Sequence, residues 1–177
     1  MIAESSYWKN PLLEMAKRMN SLKTSGDFDE EQLAQVERDI FVGFYSVRKL
    51  FEATAKITDT TKAMKVPLLW HPNREHVTWL NSHRLNELYD FSISNAEVRD
   101  VIFICGRIIH SYIFTPCMEK FRLCGIFFTS DIDLQLKLYY MGIDEVIKIF
   151  EQVGNDYPSS IEWRKDDTTG KETTIVK

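Results

Sequence analysis

Two polar side chains inside the most apolar run of the chain are the first candidates for chemistry. The stretch CGRIIHSYIF, residues 105–114, carries Arg107 and His110 near its centre. Residues three apart lie on the same face of a helix, so these two side chains can meet. A nearby arginine favours the neutral imidazole, which accepts a proton as a general base, and the guanidinium can hold a phosphate bidentately. The pair is therefore a candidate site for gripping or cleaving RNA.

The same residues also have a structural interpretation, which we favour. His110 would be a core histidine hydrogen-bonded to a backbone or carboxylate group, and Arg107 would pair with an acid on the main helix. Gly106 would then only permit close helix packing. Exposure distinguishes the two interpretations, because a catalytic histidine and arginine must line an open cleft.

Arg48 is a further candidate. It precedes Glu52 by four residues in a helical pattern, which predicts a surface ion pair worth about 0.3 kcal/mol. As a functional hypothesis, Arg48 faces His110 across a pair of helices and supplies the phosphate-binding charge.

Three histidines, His71, His76 and His83, raise the question of a metal site. Zinc needs three or four converging ligands, but the usual short ligand pairs are absent and no cysteine lies nearby. Residues 70–73 are more typical of an anchored turn. The chain also has no phosphate-binding GxxxxGK[ST] or GxGxxG loop, no GxSxG elbow and no HExxH motif. We therefore expect neither a metal nor a cofactor.

Helices are the main elements expected to position these residues. Residues 6–22 have the pattern of a first helix, in which Asn10 can act as N-cap and Pro11 fits the first helical position. Residues 29–57 have the pattern of the main helix, opened by a capping box of Asp29 and Gln32. Its apolar residues recur every three or four positions, and Gly43 marks a place where another helix packs closely.

Residues 94–114 have the pattern of a second long helix, with Ser94 and Glu97 as a second capping box and Pro116 beyond its end. The high content of β-branched residues makes a strand the alternative. Between the two long helices, Pro67 and Pro72 exclude a continuous helix, so residues 58–81 are expected to form a long crossing segment. Residues 82–91 fit either a short helix or a strand.

The last third of the chain predicts a hairpin and a final helix. Residues 121–129 and 132–141 have the pattern of two strands, joined by a turn at Ser130 and Asp131. In the second strand, alternation turns one set of residues inward (Ile132, Leu134, Leu136, Leu138) and another outward (Asp133, Gln135, Lys137). Asp144 would cap the final helix, and Gly154 with Asn155 would close it. The tail, residues 156–177, is expected to be flexible or to form a hairpin around Thr169 and Gly170.

The predicted fold class is therefore α+β, a predominantly helical bundle with a C-terminal β-hairpin and a final helix. We expect one domain over residues 1–177, with a helical body at about 6–115 and the hairpin and helix at about 120–155.

Composition narrows the classes of function. The net charge is −4 with a pI of about 5.6, so no global basic field indicates nucleic-acid binding. The three cysteines lack CxxC spacing, which predicts free thiols in a reducing cytosol. The N-terminus lacks the features of a signal peptide, and the apolar run around residue 105 is too short to span a bilayer. We expect a cytoplasmic protein with no membrane partner.

The stretch ICGRIIHSYIF, preceded by a helix that carries FYSVRKLFEA, resembles the HEPN superfamily of small helical bundles. Many members are RNases or partners in toxin–antitoxin and phage-defence systems. Their catalytic signature is an arginine, often followed by a polar residue, with four to six residues between the arginine and a histidine. His110 matches that histidine, but residues 103–105 hold no arginine, Arg107 is too close and Arg99 is too far. The resemblance implies a helical bundle, dimerisation, and lost or altered RNase activity.

We therefore expect a non-catalytic, HEPN-like association domain that forms a homodimer and binds RNA or a partner protein. The enzymatic alternative is a metal-independent endoribonuclease of a toxin–antitoxin or phage-defence type, with His110 as acid/base and Arg107 or Arg48 on the scissile phosphate. A purely structural protein is the third alternative.

Overall fold

A computed structural model describes residues 2–24, 29–165, 169–170 and 172–177. Its helices and strands, in chain order, are α1 (Ser6–Leu22), α2 (Glu30–Glu52), α3 (Asp59–Lys62), β1 (Lys65–Pro72), α4 (Leu85–Leu88), β2 (Asn95–Asp100), α5 (Val101–Ile109), β3 (Ser111–Glu119), β4 (Arg122–Ser130), β5 (Lys137–Gly142), α6 (Ile143–Gly154), β6 (Ile161–Lys165) and β7 (Glu172–Val176).

Helices α1 and α2 form an N-terminal pair held by their apolar stripes and by one ion pair. Arg18 donates two hydrogen bonds, of 2.8 and 3.0 Å, to the buried carboxylate of Asp39. The predicted capping box is confirmed. The Asp29 side chain accepts a hydrogen bond from the Gln32 backbone N–H, and the Gln32 side-chain oxygen accepts one from the Asp29 backbone N–H. The close packing predicted at Gly43 is also confirmed, since a Cβ there would lie 2.2 Å from Cζ of Phe150 in α6.

A five-stranded antiparallel sheet is the centre of the fold, with strand order β2-β1-β5-β4-β3. Strand β2 leads directly into α5, and α5 leads directly into β3. The helix therefore connects the two opposite edges of the sheet. The tail strands β6 and β7 form a separate two-stranded hairpin, which is the hairpin alternative expected for the tail.

The two faces of the sheet are covered differently. Helices α1, α2, α5 and α6 pack on one face and form the larger core with side chains such as Ile126, Phe128 and Tyr139. Part of the other face is covered by the segments before β2 and before β5, which contribute Tyr89 and Leu134 to a second, smaller core. The strands contribute side chains to both cores, because successive residues of a strand point to opposite faces of the sheet.

The α+β class is confirmed, but the predicted predominantly helical bundle is wrong. The observed body is a five-stranded antiparallel sheet with helices on one face. The central strand β1 lies in the predicted crossing segment, for which Pro67 and Pro72 exclude a continuous helix but not a strand. Both are tolerated because Pro72 is the last residue of the strand and Pro67 lies beyond the segment that pairs with β5.

The predicted long helix over residues 94–114 is also wrong, because it is divided into β2, the nine-residue α5 and the start of β3. The cap of the real helix is Asp100, whose side chain accepts from the Phe103 backbone N–H at 2.8 Å. Pairing of β2 with β1 decides the conformation of residues 95–100. That partner is distant in sequence, so local periodicity could not show it.

The C-terminal hairpin was predicted with the wrong connection. Strands β4 and β5 pair as expected, but residues 131–136 form the turn between them. Ile132 and Leu136 are consequently exposed, while Asp133, predicted to face outward, is buried.

Two predicted helix caps are also wrong. Helix α1 begins at Ser6 and contains Pro11, so Asn10 is not its N-cap. Helix α6 follows Gly142, so Asp144 lies inside the helix and does not cap it.

Across the described ranges, no helix combines the length and the apolar character needed to cross a bilayer.

Candidate functional site

His110 lies at the C-terminal end of α5, where its backbone N–H caps the helix by donating to Gly106 and Ile108. The residue is exposed. The prediction that His110 is buried in the core is therefore wrong. Its structural role is limited to the backbone, which forms the C-cap of α5.

Arg107 is held by a carboxylate that sequence reasoning placed on the wrong face. Its Nε lies 2.5 Å from Oδ2 of Asp133, in the turn before β5. The Asp133 side chain is 9% exposed and that of Arg107 is 21% exposed, so the ion pair is largely withdrawn from solvent. The guanidinium also lies over the ring of Phe103, 4.7 Å from its centroid. The Asp133 carboxylate thus already compensates much of the positive charge with which Arg107 would bind a phosphate.

Arg48 forms the predicted surface ion pair, with its Nε 2.8 Å from Oε1 of Glu52. The hydrogen bond from Arg48 lowers the pKa of the Glu52 carboxyl, as expected for a carboxylate that receives a charged donor. Lys49 also donates to Glu52, so this carboxylate holds two cations on the surface of α2.

The three predicted site residues are not linked to one another. In the residues that the structure describes, no hydrogen bond, ion pair or ring contact joins any two of His110, Arg107 and Arg48. Their roles in catalysis therefore stay predictions without a shared geometry.

The histidine group is dispersed as well. His71 is buried, its Nδ1 lies 2.9 Å from the Ile93 carbonyl oxygen, and its ring packs on Phe91. His76 and His83 are exposed. No cluster of three or more histidine, cysteine, aspartate or glutamate residues with metal-binding geometry occurs within the described ranges.

A charged network that sequence reasoning missed lies where α5, β2 and β5 meet. Glu97 receives two cations, Arg99 on Oε1 at 2.8 Å and Lys137 on Oε2 at 3.0 Å. Burial raises the pKa of the Glu97 carboxyl, but the hydrogen bonds from Arg99 and Lys137 outweigh this effect, so its pKa is lowered. The Arg99 guanidinium lies 4.6 Å from the centroid of Phe103. This network anchors β2 to the helix-covered face of the sheet.

The opposite face of β2 is open and apolar. Val98 is 63% exposed and lies opposite Pro67 of β1, which is also exposed. Leu69 and Ile93 are 40% and 48% exposed. Exposed apolar side chains that are contiguous, rather than scattered, indicate a surface for association. The signal in the sequence was the short polar–apolar alternation of residues 95–100, which a helical interpretation concealed.

Two thiols form a second feature that spacing did not reveal. Sγ of Cys117 in β3 and Sγ of Cys124 in β4 lie 3.0 Å apart, and both residues are half-buried. The only sequence signal is that seven positions separate them across the turn between two apolar segments.

Comparison of this chain with protein-family models, with curated proteins and with solved structures gives no match.

Proposed function

We propose that this protein is a non-catalytic association protein and that a second copy of the chain docks on the open edge of β2. One observation carries the proposal: Glu97, Val98 and Arg99 are self-complementary when two copies of the strand pair antiparallel about Val98. Dimerisation, which the resemblance to HEPN proteins implied through helices, is thus proposed on a strand.

The backbone of β2 is available for such pairing. The strand is the last in the sheet, and among the described residues its one partner strand is β1. Val98 lies opposite Pro67, which has no N–H, so this pair cannot exchange both backbone hydrogen bonds. In an antiparallel ladder, the residues of a non-hydrogen-bonded pair direct their N–H and C=O groups away from each other. The backbone groups of Val98 therefore point to the open edge.

The register follows from the side chains. With Val98 on the two-fold axis, Glu97 lies opposite Arg99 of the second copy, and Arg99 lies opposite Glu97 of the second copy. Directly opposed unlike charges stabilise an antiparallel pair, whereas like charges destabilise it. The charges of β2 therefore discourage unrelated strands and accept a copy of the same strand.

The apolar face supports the same arrangement. Val98 of each copy would meet on the face that carries Pro67 and Leu69, and the two exposed patches would become continuous. A two-fold interface uses the same surface on both subunits, which this edge satisfies. Glu97 would remain compensated throughout, because Lys137 holds its second oxygen.

The first test is the mass of the protein in solution, measured by light scattering across a wide concentration series. We expect a species of twice the monomer mass of 20.8 kDa at high concentration. Val98→Lys should shift the protein to monomer, because a lysine on an edge strand blocks strand addition. Phe121→Lys is the matched control, since Phe121 is 73% exposed but lies in the turn after β3, at the opposite edge of the sheet, and it should leave the dimer intact. A monomeric wild type, or equal masses for the two variants, would overturn the proposal.

A charge exchange tests the register itself. Arg99→Glu alone would place like charges opposite each other twice in the dimer, and so would Glu97→Arg alone. Each variant should therefore be monomeric, while an equal mixture of the two should form a heterodimer in which both opposed pairs are again unlike. Circular dichroism verifies that each variant is folded. A mixture of folded variants that stays monomeric would contradict this register.

The exposure of His110 favours a second candidate, the metal-independent endoribonuclease. RNA would be incubated with the wild type, His110→Ala and Arg107→Ala in excess EDTA. The non-catalytic proposal expects no cleavage by any of the three proteins. Cleavage by the wild type that disappears in both variants would instead establish the enzyme.

A further inference from the structure

The two half-buried thiols of β3 and β4 are close because the strand pairing is irregular between them. Cys117 pairs with Gly125 and Met118 pairs with Leu123, so Cys124 is an extra residue without a partner in the ladder. Such a β-bulge re-aims the side chain of the extra residue. Here it places the Cys124 thiol 3.0 Å from both Sγ and the backbone oxygen of Cys117.

Cys124 is accessible from solvent through a cleft. The cleft has a volume of about 380 Å³, and Cys124 lines it together with Lys120, Arg122 and Lys23. Lys120 and Arg122 are exposed, so the entrance carries positive charge that attracts an anionic reagent. Glu119 and Asp144 also line the cleft, and Asp144 pairs with Lys23.

We propose that Cys117 and Cys124 form a thiol-modification site that reacts with anionic low-molecular-weight disulfides, of which glutathione disulfide is the test case, and closes into a reversible internal disulfide. The pair is independent of the β2 edge, because β2 and β3 are opposite edges of the sheet.

The reaction takes place in two exchange steps. Cys124 loses its proton to solvent, and its thiolate attacks one sulfur of glutathione disulfide, which breaks that S–S bond and releases one glutathione thiolate. Cys117 then loses its proton and attacks Sγ of Cys124, which forms the Cys117–Cys124 bond and releases the second glutathione. The two protein thiols are oxidised, one glutathione disulfide is reduced to two glutathione molecules, and the two released thiolates are protonated.

The order of the steps follows from the environment of each thiol. Cys124 lines the cleft, whereas burial and a hydrogen bond with Cys124 raise the pKa of Cys117 to about 12. Cys117 is therefore a poor first nucleophile, but its attack on Cys124 is intramolecular. The sulfurs must move closer by about 1 Å to reach the length of a disulfide bond. The third cysteine, Cys105 in α5, is fully buried in the larger core and takes no part in the exchange reaction.

The test equilibrates the folded protein with mixtures of reduced and oxidised glutathione, alkylates the free thiols and measures the intact mass. We expect oxidation to remove two of the three alkylatable thiols without leaving glutathione attached. Trypsin cleaves after Lys120 and Arg122, which lie between the two cysteines, so the internal disulfide should join two separate peptides. Cys105→Ser should still form this bond.

Two variants separate the internal disulfide from other outcomes. Cys117→Ser should accumulate a glutathione adduct on Cys124. Cys124→Ser should react little, because Cys117 does not line the cleft and burial raises its pKa. Repeating the titration in guanidinium chloride should require more oxidising mixtures, since the folded hairpin is what holds the sulfurs together. Three alkylatable thiols under every mixture, a persistent adduct on wild-type Cys124, or equal oxidation of folded and unfolded chains would each overturn the proposal.

Discussion

At the scale of single residues, the ion pair of Arg107 and Asp133 explains why an arginine is found in an apolar stretch. The carboxylate lies in a turn that is distant along the chain, and the pair fastens that turn to α5. The sequence therefore predicts that Arg107 pairs with an acid, but the acid is Asp133 in this turn and not one on the main helix. Asp133 was assigned to the wrong face because the strand was predicted to begin five residues too early.

Arg107→Ala should lower the free energy of unfolding by about 2–3 kcal/mol, because it leaves the buried Asp133 carboxylate without its cation. Arg48→Ala is the matched control, since its partner Glu52 is exposed and the expected loss is below about 0.5 kcal/mol. Urea denaturation of both variants measures the difference. Equal losses for the two would show that the Asp133 pair has no special role.

At the scale of secondary-structure elements, two helical glycines have opposite surroundings. Gly43 in α2 allows Phe150 of α6 to approach so closely that an added Cβ would lie 2.2 Å from the ring. At Gly106 in α5, the backbone of the helix itself and the two adjacent residues aside, no described atom lies within 4 Å of the position a Cβ would take. The first glycine is needed for helix packing, whereas the second is not, which corrects the packing role suggested for Gly106.

Gly43→Ala should destabilise the protein by about 1–3 kcal/mol, because the overlap with Phe150 forces the helices apart. Gly106→Ala should instead stabilise it by up to about 1 kcal/mol, as alanine is the better helix former. Thermal unfolding of the two variants provides the comparison. Two shifts of the same sign would contradict this account of the α2–α6 contact.

At the scale of the whole molecule, buried groups that hold their protons make the stability of the fold decrease at alkaline pH, and one of them, Tyr89, lies in the smaller core. The hydroxyl of Tyr89 donates to the Leu134 carbonyl oxygen at 2.8 Å, and burial raises the pKa of Tyr89 well above its ordinary 10.0. Burial also raises the pKa of the Cys105 thiol from 9.0 to about 12. A raised folded-state pKa means that the folded protein holds the proton more tightly than the unfolded chain. The stabilisation is therefore complete below pH 9 and is lost as the pH rises through 9 to 12.

In reducing buffer, we expect the free energy of unfolding to fall as the pH increases above 9. Tyr89→Phe should make the decline above pH 10 shallower by up to about 1.4 kcal/mol per pH unit, because it removes one of the groups that must ionise. Tyr7→Phe serves as the control, since Tyr7 is 81% exposed. Chemical denaturation at a series of pH values measures the slopes, and an unchanged slope in Tyr89→Phe would refute the assignment.

The sequence by itself determined the features that depend on neighbours within a few positions. The capping box of Asp29 and Gln32, the helical stripe of α2 and the Arg48–Glu52 pair all arise from contacts three or four residues apart. Such contacts form in any helix with this sequence, so local patterns are sufficient to predict them.

Only the tertiary structure decided which segments pair across the sheet. Strand β2 was mistaken for a helix because its conformation depends on β1, and the proximity of Cys117 to Cys124 depends on one irregular step of the β3–β4 ladder. Strand conformation reflects partners that are distant along the chain, and a shift of one residue turns every side chain to the other face. The open edge of β2 and the paired thiols, on which the two proposals rest, therefore became apparent only in the folded molecule.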